Sequence, residues 1–200
     1  MKLKSCVCPI LLFALIVSAS IARADTYSTY QTTRYYSSNH RYFVEVTEKK
    51  RATLYQNGRR VRRIWRRSLP ELPGQLMVSN LGNRVVIIDR YYGNDHQPTL
   101  KAITTLNERG GEIASYELRE VAMLSRVLRT ISASHWYGGA EFSRDGRFLL
   151  VKTLIAKRQC PQIVESPEEA AECIKSLPYE QLRFDLATGK LIERASIASR

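Results

Sequence analysis

Three stretches of this chain repeat one arrangement: a polar turn, a β-rich run, a gap, and a second run that ends at a turn carrying glycine. The third is the clearest. Phe142-Ser143-Arg144-Asp145-Gly146-Arg147-Phe148-Leu149-Leu150-Val151 reads as strand, tight turn, strand, and Leu182-Arg183-Phe184-Asp185-Leu186-Ala187-Thr188-Gly189-Lys190-Leu191 follows it. The second runs from Val78-Ser79-Asn80-Leu81-Gly82-Asn83 through Ile88, then from Leu100 to Leu106 and the turn Asn107-Glu108-Arg109-Gly110-Gly111. The first is degraded: Ser37-Ser38-Asn39-His40-Arg41-Tyr42-Phe43-Val44, then Ala52 to Gln56 and Asn57-Gly58. Repetition on this scale predicts repeated antiparallel sheets rather than one irregular domain. It implies an architecture and names no reaction.

Residues 1–24 read as a separate object. Lys2 and Lys4 give a basic start, Ile10 to Val17 an unbroken apolar core, and Ala22-Arg23-Ala24 the small residues a signal peptidase reads. The expectation is a secretory signal peptide cleaved before Asp25. The alternative, an uncleaved anchor, needs about 20 apolar residues. Cys6 and Cys8 precede the apolar core, where neither becomes a lipidated N-terminus. Removing Lys2, Lys4 and Arg23 leaves 28 basic residues against 19 acidic, a net charge of +9. Residues 25–36 are expected as an N-terminal arm rich in Ser, Thr and Tyr, or as an edge strand, and 37–200 as one β-repeat domain. No membrane span is expected after cleavage.

Cys160 and Cys173 remain in the exported chain and are expected to form a disulfide, because an isolated pair in an oxidising compartment is most often bridged. A metal site needs more ligands, and His40, His96 and His135 lie far apart without zinc spacing. No metal or cofactor is expected.

Strands are predicted at 41–47, 52–56, 61–65, 75–79, 84–90, 100–106 and 112–116, with Asn57-Gly58 as a strong hairpin signal. Tyr91 to Thr99 reads as a loop. Leu118, Val121, Leu124, Leu128 and Ile131 recur at three- and four-residue spacing, with Glu117 and Glu120 early and Arg126 and Arg129 late. That pattern predicts one main amphipathic helix over Glu117 to Ile131. Ser166-Pro167-Glu168-Glu169 predicts a short helical insertion running to Lys175.

The third repeat resembles blades of the β-propeller (WD40-like) superfamily. Phe142-Ser143-Arg144-Asp145-Gly146-Arg147-Phe148-Leu149 is similar to their strand, Ser-x-Asp-Gly-Arg, strand, and Phe184-Asp185-Leu186-Ala187-Thr188-Gly189-Lys190-Leu191 to their x-Asp-x-x-Thr-Gly-Lys turn. The resemblance implies three blade-like antiparallel meanders. Propellers close with four or more blades, so the expectation is an open or partial propeller, a stack of meanders, or a piece completed by self-association.

Enzyme motifs are sparse. Asp89, Asp95 and His96 are the best polar cluster for a metal or for acid–base work, although a strand end followed by a polar loop fits the same residues. Trp136 and Tyr137 beside Gly138-Gly139 suit ligand stacking, or else close the core. Arg59, Arg60, Arg62, Arg63, Arg66 and Arg67 form a dense run on a predicted strand. Strict alternation places Arg60, Arg62 and Arg66 on one face, a stripe for phosphate, sulfate or carboxylate polymers or a solvated edge that resists aggregation. The expected function is an exported, non-enzymatic β-repeat protein that binds a partner protein or an anionic envelope component. The alternatives are a propeller-type hydrolase and a structural subunit pairing through an open sheet edge. The leader argues against intracellular nucleic acid.

Overall fold

The computed structural model describes residues 31–89, 91–92, 101–122, 128–130, 134–154, 163–164 and 178–197. The expected signal peptide, Cys160 and Cys173, and the helical insertion at 166–175 lie outside the described residues. The first sheet is a meander of β1 (Thr33–Tyr36), β2 (Tyr42–Val46), β3 (Arg51–Gln56) and β4 (Arg62–Ser68) in that spatial order. The end of the Ser/Thr/Tyr-rich stretch thus forms a strand, pairing Thr33 with Val46 and Tyr36 with Phe43. Tyr42, Val44 and Val46 share one face, as their alternation predicts.

The second sheet joins β5 (Gln75–Val78), β6 (Val85–Ile88), β8 (Lys101–Leu106) and β9 (Glu112–Glu117). The third joins β12 (Tyr137–Phe142), β13 (Phe148–Leu154), β15 (Tyr179–Asp185) and β16 (Leu191–Ile197). All pairs in these three sheets are antiparallel. They are propeller-blade-like units in an open set.

One turn recurs at the head of each sheet. The Ser37, Ser79 and Ser143 amides donate to the carbonyls of Tyr42, Arg84 and Phe148 at 2.9, 3.0 and 2.9 Å. Each serine Oγ also accepts the amide of that later residue. The fourth turn residue must take positive φ, which glycine adopts without steric cost. Gly82 and Gly146 have φ of 67° and 68°, and His40 occupies the same place at 56°. The first repeat therefore looks degraded in sequence while keeping the turn in three dimensions. The outer strands also agree. β4, β9 and β16 each carry a bulge against the preceding strand of their sheet. The extra residue is an isoleucine each time: Ile64, Ile113 and Ile192.

The sheets stack face to face. The first turns Tyr42, Val44, Val46, Ala52, Leu54 and Trp65 toward the second, with the Tyr42 ring closely covering Gly82 and the Trp65 ring covering Gly110. The opposite face of the second sheet meets the third: Val86, Ile88 and Ile103 join Leu149, Val151, Leu182 and Phe184 in one buried cluster. Tyr116 and Phe184 meet edge to face at 5.1 Å, and Tyr116 Oη donates to Gly189 O at 2.9 Å. Burying each such leucine, valine or phenylalanine contributes about 1.5–3 kcal/mol before the entropy of ordering is subtracted.

A fourth, small mixed sheet lies outside the repeats. It joins β14 (Ile163–Val164), β10 (Leu128–Thr130), β11 (Ser134–His135) and β7 (Tyr91–Tyr92), with β10 and β14 parallel. Each of its strands comes from an excursion within a sheet or between two sheets. This corrects two expectations. Tyr91 and Tyr92 are strand where a loop was expected. The predicted main helix over 117–131 is one short helix, α1 (Leu118–Val121), and 128–130 is strand. Glu117 and Glu120 form a capping box that starts α1, and Ala122 at φ −137° and ψ 142° ends it after a single turn. Leu118 and Val121 bury as the helical spacing demands. Beyond them Leu128-Arg129-Thr130 has strand partners on both sides, and cross-strand pairing overrides the weaker helical periodicity. Among the described residues no helix is long and apolar enough to cross a membrane.

Candidate functional site

The arginine run lies on the β3–β4 hairpin at the edge of the first sheet. Leu54 pairs with Trp65 and Tyr55 with Arg63, which leaves Ile64 as the bulge. An extra residue resets the alternation, because side chains change face every residue of regular strand. The single stripe expected for Arg60, Arg62 and Arg66 is therefore divided. Arg63 and Arg66 share the outer face with Tyr55 and Thr53. Arg62 lies on the inner side opposite Gln56, and its Nη2 donates to Gln56 Oε1 at 3.1 Å. Arg67 also points inward, half-buried, and its Nη1 donates to Gly110 O of the second sheet at 2.7 Å. It serves the sheet–sheet contact. Arg59 and Arg60 are exposed at the hairpin tip. Among the described residues none of these six arginines makes an ion pair.

The outer face of the first sheet carries two cross-strand rows. One is Tyr36, Phe43, Tyr55 and Arg63; the other is Arg34, Glu45, Thr53 and Arg66. The rings of Tyr36 and Phe43 lie 5.2 Å apart and those of Phe43 and Tyr55 stack at 5.0 Å. Arg34 Nε donates to Glu45 Oε2 at 2.8 Å, and its guanidinium sits 5.3 Å from the Phe43 centroid. The Glu45 hydrogen bond holds the Arg34 pKa above its ordinary value. Phe43 is buried beneath its neighbours, whereas Tyr36 is 44% exposed. The three aromatic residues of this row are scattered along the chain and form no run in the sequence. Only the pairing of Tyr36, Phe43 and Tyr55 across three strands assembles it.

Trp136 and Tyr137 do not offer a stacking platform. Trp136 is fully buried; its Nε1 donates to Asp89 O at 2.9 Å and its carbonyl accepts the Leu154 amide at 3.0 Å. Tyr137 packs on it at 5.6 Å and donates from Oη to Gln75 Oε1 at 2.8 Å. The pair closes the core between the second and third sheets. Asp89 follows β6, while Asp95 and His96 lie outside the described residues. Among the described residues no cluster of three or more His, Cys, Asp or Glu is placed to hold a metal ion.

The third sheet's outer face is different. Its rows are Glu141, Leu150, Arg183 and Glu193, and Lys152, Gln181 and Ala195. Arg183 pairs with Glu193 at 3.3 Å and lies 3.8 Å above the Phe148 ring. Two shallow depressions occupy this face, one around Phe148 and one around Glu141 and Lys152. At its turn end, Asp145 accepts from Ser143 Oγ and the Arg147 amide, and Asp185 from the Thr188 and Ala187 amides. These bonds hold both carboxyls below the ordinary aspartate range.

The sequence matches no known family model and no curated protein. Solved structures to which this chain is similar include hydrazine synthase of Kuenenia stuttgartiensis, with TM-score 0.44 and 12% identity over 82% of this chain and 36% of that one. BamB from Moraxella catarrhalis gives TM-score 0.41 and 12% identity over 83% of this chain and 53% of that one. The C-terminal WD40 domain of Sif2 gives TM-score 0.39 and 9% identity over 84% and 40%. The chain spans about a third to a half of the length of each.

Proposed function

We propose that this protein is an exported, non-enzymatic interaction protein that binds an anionic polymer or an acidic partner through the arginine-rich edge of its first sheet. One observation carries the reading: Arg59, Arg60, Arg63 and Arg66 are exposed on one hairpin without an acidic partner among the described residues. Arg63 and Arg66 are neighbours on the outer face, about 7 Å apart at strand spacing. That lies within the Debye length of about 8 Å at physiological salt, so the two charges act together on a polyanion. Guanidinium groups suit sulfate, phosphate and carboxylate because their donors match two oxygens at once. Export is supported by the basic start, the apolar core and Ala22-Arg23-Ala24.

Heparin chromatography of the purified protein tests it. Retention should fall with rising salt, and the double substitution Arg63→Ser with Arg66→Ser should elute at clearly lower salt. Arg144→Ser with Lys190→Ser removes the same charge from exposed positions on the third sheet's turns. If both double variants shift equally, only net charge is being read and the assigned edge is wrong.

A further inference from the structure

The three turns align the sheets residue by residue. Tyr42, Arg84 and Phe148 are equivalent, since each donates its amide to the turn serine five residues before it. Counting onward, Val44, Val86 and Leu150 are equivalent, as are Val46, Ile88 and Lys152. In the first two sheets these positions face the sheet that follows. Phe43, Val85 and Leu149, and Glu45, Ile87 and Val151, take the opposite parity, which in the second and third sheets faces the sheet that precedes. The two outer faces of the stack are therefore the two unlike halves of one repeated interface. The first sheet presents a preceding-type face, and the third presents a following-type face.

The charges agree with that polarity. The first outer face carries Arg34, Arg51, Arg63 and Arg66 against Glu45, a net +3. The third carries Glu141, Asp185 and Glu193 against Lys152, Arg183 and Arg147, whose guanidinium lies 5.4 Å from the Phe148 ring, a net of zero. First face against first face sets arginines against arginines, whereas third against first sets carboxylates against them. Each face also keeps apolar surface at its centre: Tyr36 and Tyr55 on one, Phe148 and Leu150 on the other, all at least partly exposed. Both faces are more polar than the internal interfaces, as befits surfaces that must remain soluble before they meet.

We propose that two copies of this chain associate head to tail, the third sheet's outer face of each copy covering the first sheet's outer face of the other, to close a ring of six sheets. Unlike surfaces in contact make a heterologous interface, which forms a closed ring when the rotation per copy allows. Closed propellers have about four to eight blades. One copy falls below that range and three copies exceed it, so two is the count that closes. This inference shares Arg63 and Arg66 with the polyanion reading, since the partner's third sheet would cover them, and leaves only Arg59 and Arg60 at the hairpin tip outside the covered faces.

Sedimentation equilibrium of the full chain, at concentrations up to roughly 100 µM to populate a micromolar complex, should show twice the monomer mass. Tyr36→Glu on the first face and Leu150→Glu on the third should each give monomer, with circular dichroism unchanged. Should Leu150→Glu unfold the protein, Glu141→Arg on the same row is the substitute, since Glu141 is exposed. Mixing a first-face variant with a third-face variant leaves one intact interface and should restore a weaker dimer. A wild-type protein that stays monomeric overturns the proposal. So does a third-face variant that dimerises as well as wild type, or a mixture that remains monomeric. Heparin retention is read separately on the same variants, so loss of one property without the other tells which reading failed.

Discussion

The two faces of the first sheet are built from the same four strands and behave in opposite ways. The inner face sets Val44, Val46 and Leu54 at zero exposure against the second sheet, with Trp65 7% exposed beside them. The outer face sets Glu45, Thr53, Arg63 and Arg66 around an aromatic row whose end, Tyr36, is open to solvent. Alternation along β2 and β3 separates the faces. Along β4 the separation depends on one bulged residue, Ile64. A strand's sequence thus assigns its faces only as far as its first irregularity.

The sharpest way to break this contrast is to truncate on the inner face. Leu54→Ala should cost about 2–5 kcal/mol, because it removes fully buried methyl groups and leaves a cavity at the sheet–sheet contact. Tyr36→Ala on the outer face should cost far less. Urea unfolding of the two variants checks the ranking, and equal losses would mean that both faces are buried.

A smaller effect is expected at the turn that locks the first sheet to the second. Gly82→Ala puts a Cβ into the Tyr42 ring at a residue with φ of 67°. Left-handed strain at a non-glycine residue costs about 1–3 kcal/mol. His40→Gly, at the equivalent turn, should be neutral or stabilising, since it relieves the same strain at 56°. Thermal melts of both variants give the sign directly.

The smallest effect concerns pH. Asp145 is held below 3.8 chiefly by the Ser143 hydroxyl, and Asp185 chiefly by the Thr188 amide. A lowered folded pKa means stabilisation that is complete above the unfolded value and is lost as pH falls through the folded one. Stability should therefore decline below about pH 4. Asp145→Asn with Asp185→Asn should flatten that decline, as measured by urea midpoints at pH 6 and pH 3. An unchanged slope would show that these turn carboxyls contribute nothing to it.

Much of the architecture is legible along the chain because its signals are local. Ser79-Asn80-Leu81-Gly82 and Ser143-Arg144-Asp145-Gly146 carry their own turn chemistry, and Tyr42, Val44 and Val46 alternate without interruption. The candidate site was only half legible. The arginines are plain to read, but Arg67 is taken by Gly110 of another sheet and Arg62 lies across the strand from Arg63.

Taken alone, then, the sequence determined three turn-headed meanders and a basic hairpin, because positive-φ turns and two-residue alternation depend on neighbours in the chain. Tertiary structure decided everything that needed a partner from afar. Leu128 became strand because it pairs with His135. His40 could replace glycine because the hydrogen bonds between Ser37 and Tyr42 hold the turn around it. The Tyr36, Phe43 and Tyr55 row exists only where three strands lie side by side. Pairing across strands is worth more than the local preference of any one of these residues, and it forms only when distant segments meet.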